Sequence, residues 1–448
     1  MIAKRSYAVP FALRGQWLLL AATGIVLTLA MYAASTYPMG LLLALGIALL
    51  PALLALAWTS PLVFPYGAYA MLVPFDLLLS LPELGTVARL CGGVAGVALL
   101  LWLVRTRKIV VPGPALAAWA AFVLWSCISL LWTINTTNAS RESATLVQLA
   151  SLFAIASLVP AKLRDVQLVF AAVVCGGLAA AAFGIHELAH PTAAQQLLNE
   201  VSDRVPLLVG NQRLDINQFA DSLLLPLALV TVGAVRARNV GLKLCGVAAI
   251  GVLLYAISLA ASREAFVAVA LMFAYFMIAL RERWQIGGLA AAVGAAALAN
   301  ANLLHRFLSA SATGGSGRLG IWSAGLAAFR LHWLVGAGSG SFAMAYDQVY
   351  LKVFQPYDMG WSRAAHNMLL QNGVEYGIVG VVLLVFALIL TVRSVPAFRR
   401  DHPLFGMRTS LMGALLALCV AGLFVDLTTA KVFWLELGLV GLVRGCVA

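Results

Sequence analysis

The chain has 448 residues, of which 62% are hydrophobic and only 10% charged, with a formal net charge of +12. A soluble domain of that balance would aggregate, so the composition excludes an ordinary water-soluble enzyme and implies a membrane protein. The positive charge would suit nucleic acid, but in a membrane protein it reflects basic cytoplasmic loops, and no nucleic-acid partner is expected.

Runs of about 18 or more apolar residues recur along the whole length, which is the mark of transmembrane helices. They are continuous rather than alternating, so helices and not barrel strands satisfy the backbone in lipid. In chain order the expected spans are 16–34, 39–57, 61–81, 86–104, 114–132, 144–160, 165–186, 217–235, 241–260, 263–280, 285–303, 366–391, 409–427 and 432–447. The 61–81 run is broken by Pro65 and Pro74, and the 432–447 run is short and carries Glu436 and Arg444. The fold class expected is an all-α polytopic membrane protein with about 12 to 14 transmembrane helices, a single transmembrane domain over 1–448. The first run, from Trp17 to Ala34, can span and is followed at once by another, so it reads as a retained helix rather than a cleaved signal.

Basic residues in short loops set the orientation. With Lys4, Arg5 and Arg14 in the cytoplasm, the turns Arg105–Lys108, Arg236 with Arg238, Arg281 with Arg283, and Arg393 through Arg408 all fall inside. Lys162 and Arg164 fall there too, and the agreement requires the 61–81 run to cross. Two segments are then left outside, 187–216 and 304–365. Within the second, Phe342, Tyr346, Val349, Tyr350 and Val353 recur at helical spacing after Trp322, Phe329 and Trp333. This spacing predicts two amphipathic helices that lie on the membrane surface or cap a cavity.

The informative charges are the basic residues on the outer side, which the positive-inside bias opposes: Arg141, Arg204, Arg213, Arg263, Arg306, Arg318, Arg330, Lys352 and Arg363. An arginine fork suits phosphate oxygens and stays charged in any environment, so several facing one cavity would hold a pyrophosphate. Arg263 follows Ser262 at the start of an apolar helix; it either serves such a site, pairs with Glu264, or snorkels to headgroups. Arg318 opens the first lid helix after Gly314-Gly315-Ser316-Gly317, and Arg213 sits two residues before Asp215, a ready salt-bridge partner.

His186 and His190 have the i, i+4 spacing of a metal pair, but nothing nearby completes a site. His366 differs: it ends the long outer segment and begins an apolar helix, near the depth of Arg263. A neutral imidazole there could take a proton from a hydroxyl, or could merely bond backbone at a helix start. Cys91, Cys127, Cys175, Cys245, Cys419 and Cys446 form no CxxC pair and read as small buried residues. There is no Walker A loop, dinucleotide fingerprint, GxSxG elbow or DxD-type cluster, so no cofactor and no metal is expected, and an enzyme here would use an already activated donor.

Gly317-Arg318-Leu-Gly-Ile-Trp322, Gly336-Ala-Gly338-Ser-Gly340-Ser-Phe342, His366-Asn367-Met-Leu-Leu-Gln371 and Gly377-Ile-Val-Gly380 occur in that order. Together they resemble the O-antigen ligase and O-antigen polymerase superfamily over roughly 205–385. Ser262-Arg263-Glu264-Ala resembles that family's Ser-Arg-Gly-Ala helix start, with Glu264 in place of the glycine. The resemblance implies a metal-independent glycosyltransferase of the GT-C type in the bacterial inner membrane. Its donor would be undecaprenyl-pyrophosphate-linked O-antigen, and its acceptor a sugar hydroxyl of lipid A–core oligosaccharide. By the same resemblance His366 would be the general base, supported by Asn367, while Arg263, Arg318 and Arg213 would hold the pyrophosphate. A polymerase, or a ligase with another acceptor, would share this chemistry. A transporter of lipid-linked glycans is the alternative of another class, but no inverted repeat is evident and the arginines cluster toward one face.

Overall fold

The computed structural model describes residues 49, 51–76, 80–81, 85–192, 195, 207–209, 212–299, 317–350, 352 and 360–447. The expected span 16–34, most of 39–57, and Arg204 and Arg306 lie outside them. The described helices are α1 (Val87–Thr106), α2 (Pro114–Ile128), α3 (Thr136–Leu158), α4 (Leu163–Ala189), α5 (Ile216–Ser222), α6 (Leu224–Arg236) and α7 (Val240–Leu259). They continue as α8 (Arg263–Ala279), α9 (Arg283–Ala299), α10 (Arg318–Leu331), α11 (Phe342–Tyr350), α12 (Met368–Ser394), α13 (Leu404–Ala421) and α14 (Lys431–Gly445). Two small antiparallel hairpins interrupt the all-α pattern: β1 (Ser80–Leu81) with β2 (Gly85–Thr86), and β3 (Leu207–Val209) with β4 (Gln212–Leu214).

Among the described residues, 7 helical stretches are long and apolar enough to cross a membrane: α1, Pro114–Leu131, α4, Ile216–Arg236, α7, α12 and α13. The expected spans at 263–280 and 432–447 form as α8 and α14, but with 17 and 15 residues they are shorter, and the one at 285–303 forms as α9 up to Ala299, its remainder lying outside the described residues. The 61–81 run forms a shorter apolar helix, Leu62–Phe75, with non-helical dihedrals at Phe64 beside Pro65, and 77–79 lie outside the described residues. Its described helical part falls short of the length of the full crossing that the loop-charge assignment uses.

Aromatic and small residues lock the bundle. Trp119 of α2 packs edge-on against Phe122, Phe433 and Trp434, and its indole N–H donates to Thr391 Oγ1 at 2.9 Å. One side chain thus joins α2, α12 and α14 and satisfies its only polar atom. The ring of Phe219 sits where a Cβ on Gly184 would be, so α5 lies directly on the outer turns of α4.

The two amphipathic helices form where the aromatic spacing places them. α10 and α11 build a core of their own, with Ile321, Ala324, Ala328, Phe342, Tyr346 and Val349 packed against Val374 of α12. The strap between them, Gly336–Ser341, has glycine at each left-handed position, with φ of 80°, 94° and 67° at Gly336, Gly338 and Gly340. It is pinned to the first half of α12: the Ala337 and Gly338 N–H groups donate to the Val374 and Glu375 carbonyls at 2.8 Å each, and the Glu375 carboxylate accepts from Gly340 and Phe342 N–H at 3.1 and 3.3 Å. α12 itself is kinked at Gly377, whose φ is 67°, where the Leu334 carbonyl occupies the space of a Cβ. The lid is therefore a packed element fixed to the helix that begins just after His366.

All six cysteines are free. Cys175 and Cys245 are exposed rather than buried, on the outward faces of α4 and α7, which corrects the expectation for those two.

Candidate active site

Four chain segments converge at one end of the bundle. The first is the start of α8. Ala261 takes a left-handed turn (φ 47°), and Ser262 caps the helix by accepting from Ala265 N–H at 3.4 Å. Arg263 and Glu264 are thereby set in the first turn, as the resemblance implies.

The second is the start of α10. Gly317, left-handed at φ 80°, turns the chain into the helix, and Arg318 follows as its first residue. Arg318 Nη2 donates to Glu264 Oε1 at 3.1 Å, and the two side chains are only 16% and 4% exposed. The Arg318 guanidinium also lies 5.8 Å from the centroid of Phe424, whose ring neighbours Trp322. Glu264 thus pairs with Arg318, whereas the sequence offered it to its neighbour Arg263. The pair is buried, so it costs desolvation and serves better to fix a guanidinium in place than to add stability.

The third is the segment before α12. His366 is half-buried and left-handed, with φ 48°, an uncommon conformation for a residue with a Cβ that its surroundings hold in place. Those surroundings are on both sides. The Ala365 carbonyl accepts from Trp322 Nε1 at 2.9 Å, and Ala365 N–H donates to Gln371 Oε1 at 3.4 Å. Asn367 caps α12 by accepting from Leu370 N–H at 2.9 Å and donates through Nδ2 to the Leu423 carbonyl at 2.9 Å, while Met368 N–H donates to the Gly422 carbonyl at 2.7 Å. Asn367 is accordingly a positioning residue: it ties the His366 turn to the loop after α13.

The fourth is the β4–α5 junction. Asp215 caps α5, its Oδ1 accepting from Asn217 N–H at 2.9 Å, and its charge acts on His366. Arg213 lies two residues earlier on β4, its backbone paired with Leu208; its side chain is outside what is described. Asp221 of α5 is fully buried among Glu264, Asp215 and Arg318, and among the described residues neither of its carboxylate oxygens has a hydrogen-bond partner.

The charges shape the histidine. Burial pushes the His366 imidazole below its usual value, and Arg318 pushes the same way with Arg363, against the opposing carboxylates Asp215 and Glu264. The ring is therefore held neutral, beside a permanent cation, at neutral pH. That combination can accept a proton at His366 while Arg318 holds an anion. Arg263 belongs to the same cluster, since Arg318 and Glu264 both act on it.

Several expected candidates are elsewhere. Arg141 is on α3 and Arg330 in the last turn of α10. His186 and His190 lie ring to ring at 5.5 Å, and among the described residues no group of three or more His, Cys, Asp or Glu is placed to hold a metal ion. Glu375, the buried anchor of the strap, and Phe424, against Arg318, carried no functional reading in the sequence.

A comparison with curated proteins gives no match. A family model described as O-antigen ligase matches residues 247–385. That stretch contains Arg263, Glu264, Arg318, the Gly336–Ser341 strap and His366, whereas Arg213, Asp215 and Phe424 lie outside it. Much of the segment that builds the cationic, histidine-bearing end of the bundle is thus similar to the O-antigen ligase family.

Proposed function

We propose that the chain is an O-antigen ligase of the bacterial inner membrane, which moves polysaccharide from undecaprenyl pyrophosphate to a sugar hydroxyl of lipid A–core. The observation that carries this reading is the placement of a neutral His366 beside Arg318 within the family-matched segment. His366 takes the proton of the acceptor hydroxyl, and the freed oxygen attacks the anomeric carbon. The bond from that carbon to the pyrophosphate oxygen breaks, its electron pair leaves with undecaprenyl pyrophosphate, and attack from the opposite face inverts the centre. Arg318 spends one N–H donor on Glu264 and offers the rest of its fork to the leaving pyrophosphate, with Arg263 and Arg213 as further cations. The arginines do the electrostatic work of a metal, so the reaction is metal-independent and needs no cofactor. The α10–α11 lid positions two membrane-bound substrates and excludes water, which would otherwise hydrolyse the donor. In this reading the fold is GT-C-type with 12 to 14 crossings, the N-terminus is cytoplasmic, and the His366 end is periplasmic.

The test is reconstituted transfer with purified protein, undecaprenyl-pyrophosphate-linked glycan and lipid A–core, resolved on a gel. A ladder on lipid A–core supports the ligase. Lengthening of the lipid-linked glycan without attachment to core would make the chain a polymerase, and flux across proteoliposomes with neither product would make it a transporter.

A further inference from the structure

At the end of the bundle opposite His366, the last turns of α12 and the first turns of α13 enclose an apolar wedge. The two helices follow one another in the chain yet make little direct contact. Between them lies a cavity of about 580 Å³. Leu388, Ile389 and Val392 form one wall, Met412, Leu415 and Leu416 the other, with Tyr275 of α8 also lining it. An open apolar wedge of this size on the outside of a membrane bundle disfavours water and has room for an acyl chain.

What distinguishes this wedge is its rim. Arg393, in the last turn of α12, and Arg408, in the second turn of α13, line the same cavity from opposite walls. Arg408 is held across the gap, its Nε donating to the Val395 carbonyl at 3.4 Å. Among the described residues neither arginine has a carboxylate partner; the acidic residue of the intervening turn, Asp401, pairs with Arg399 at 3.7 Å. Two uncompensated guanidinium groups at the mouth of an acyl-sized slot complement a phosphate whose lipid tail enters the slot.

We propose that the wedge between α12 and α13 is a binding site for an anionic phospholipid, with Arg393 and Arg408 clasping its phosphate and Leu388, Val392, Met412 and Leu416 lining its acyl chain. The lipid fills the gap that the two helices leave and braces α12, the helix that carries the His366 turn at its other end. The site is independent of the transfer reaction proposed above.

The test uses the full chain in detergent, titrated with phosphatidylglycerol or phosphatidylcholine and observed by native mass spectrometry, with the thermal midpoint read in parallel. Phosphatidylglycerol is expected to bind saturably and raise the midpoint, and phosphatidylcholine to do neither. Arg393→Gln with Arg408→Gln is expected to weaken phosphatidylglycerol binding about 10- to 30-fold, two surface charges' worth. Arg399→Gln with Arg400→Gln, which removes the same charge beside the site, is expected to leave binding intact. Should the first double variant fold poorly, Arg393→Gln alone replaces it, because that side chain is exposed. Leu416→Trp, which fills the wedge while keeping both arginines, is expected to displace the lipid. Equal binding of the two lipids, equal loss in both double variants, or equally tight binding of soluble glycerol phosphate would overturn the proposal.

Discussion

At the residue scale, the account rests on how burial and charge set His366. Its imidazole lies below the usual value of 6.5 because burial and Arg318 disfavour the protonated form. The base form therefore predominates at 6.5 and is lost as pH falls through the lowered value. The acid limb of the kcat/KM profile should accordingly have its midpoint below the ordinary histidine value; a midpoint at or above the ordinary histidine range would contradict this order of effects. Arg318→Lys keeps the charge but loses the fork, and a lost donor to a leaving oxyanion costs about 100- to 1,000-fold in kcat. Initial rates of transfer check this, and a near-normal rate would remove Arg318 from the leaving-group role. His366 and Arg318 were legible in the sequence because each stands at a helix start next to glycine or small residues. Their environment was not. Glu264 lies 54 positions before Arg318 and looks like a partner for adjacent Arg263, and nothing in local spacing shows that Phe424 or Asp215 joins them.

At the scale of elements, the lid was readable and its anchoring was not. The i, i+4 aromatic spacing of Phe342, Tyr346 and Tyr350 gave α11, and Trp322 with Phe329 lie on α10. The alternating glycines read as a family motif, but their physical reason is close backbone approach: a Cβ on Gly336 would meet Glu375 of α12, one on Gly338 would meet Thr133, and one on Gly340 would meet Asn138 and Ala139 of α3. At Gly377 a side chain would meet the Leu334 carbonyl at 2.2 Å in a left-handed conformation. Gly377→Ala should thus destabilise the protein by at least about 1–3 kcal/mol, seen as a lower thermal midpoint in detergent and reduced membrane levels. An unchanged midpoint would mean that the Leu334 carbonyl does not bear on the kink. The misread element, 61–81, failed for the converse reason. Its apolar run has the length of a span, but its described helix is only Leu62–Phe75 and is distorted at Phe64 beside Pro65, and hydropathy averages over that.

At the scale of the molecule, composition alone settled a membrane protein, and continuous apolar runs settled helices. What composition could not give is which end holds the candidate site. That reading rests on where the fold gathers Arg263, Glu264, Arg318 and His366, four residues spread over about 100 positions and brought to one end of the bundle. Because arginines supply the positive charge there, transfer should proceed at the same rate with chelator present and nucleotide absent. A loss of rate that magnesium restores would place the electrostatic work on an ion instead.

The most direct test of the central claim is the reconstituted transfer reaction run with wild-type protein and with His366→Ala combined with Arg318→Ala, at matched protein levels and verified folding. The account predicts a glycan ladder on lipid A–core with the wild type and none with the double variant. Full transfer by the double variant would contradict it.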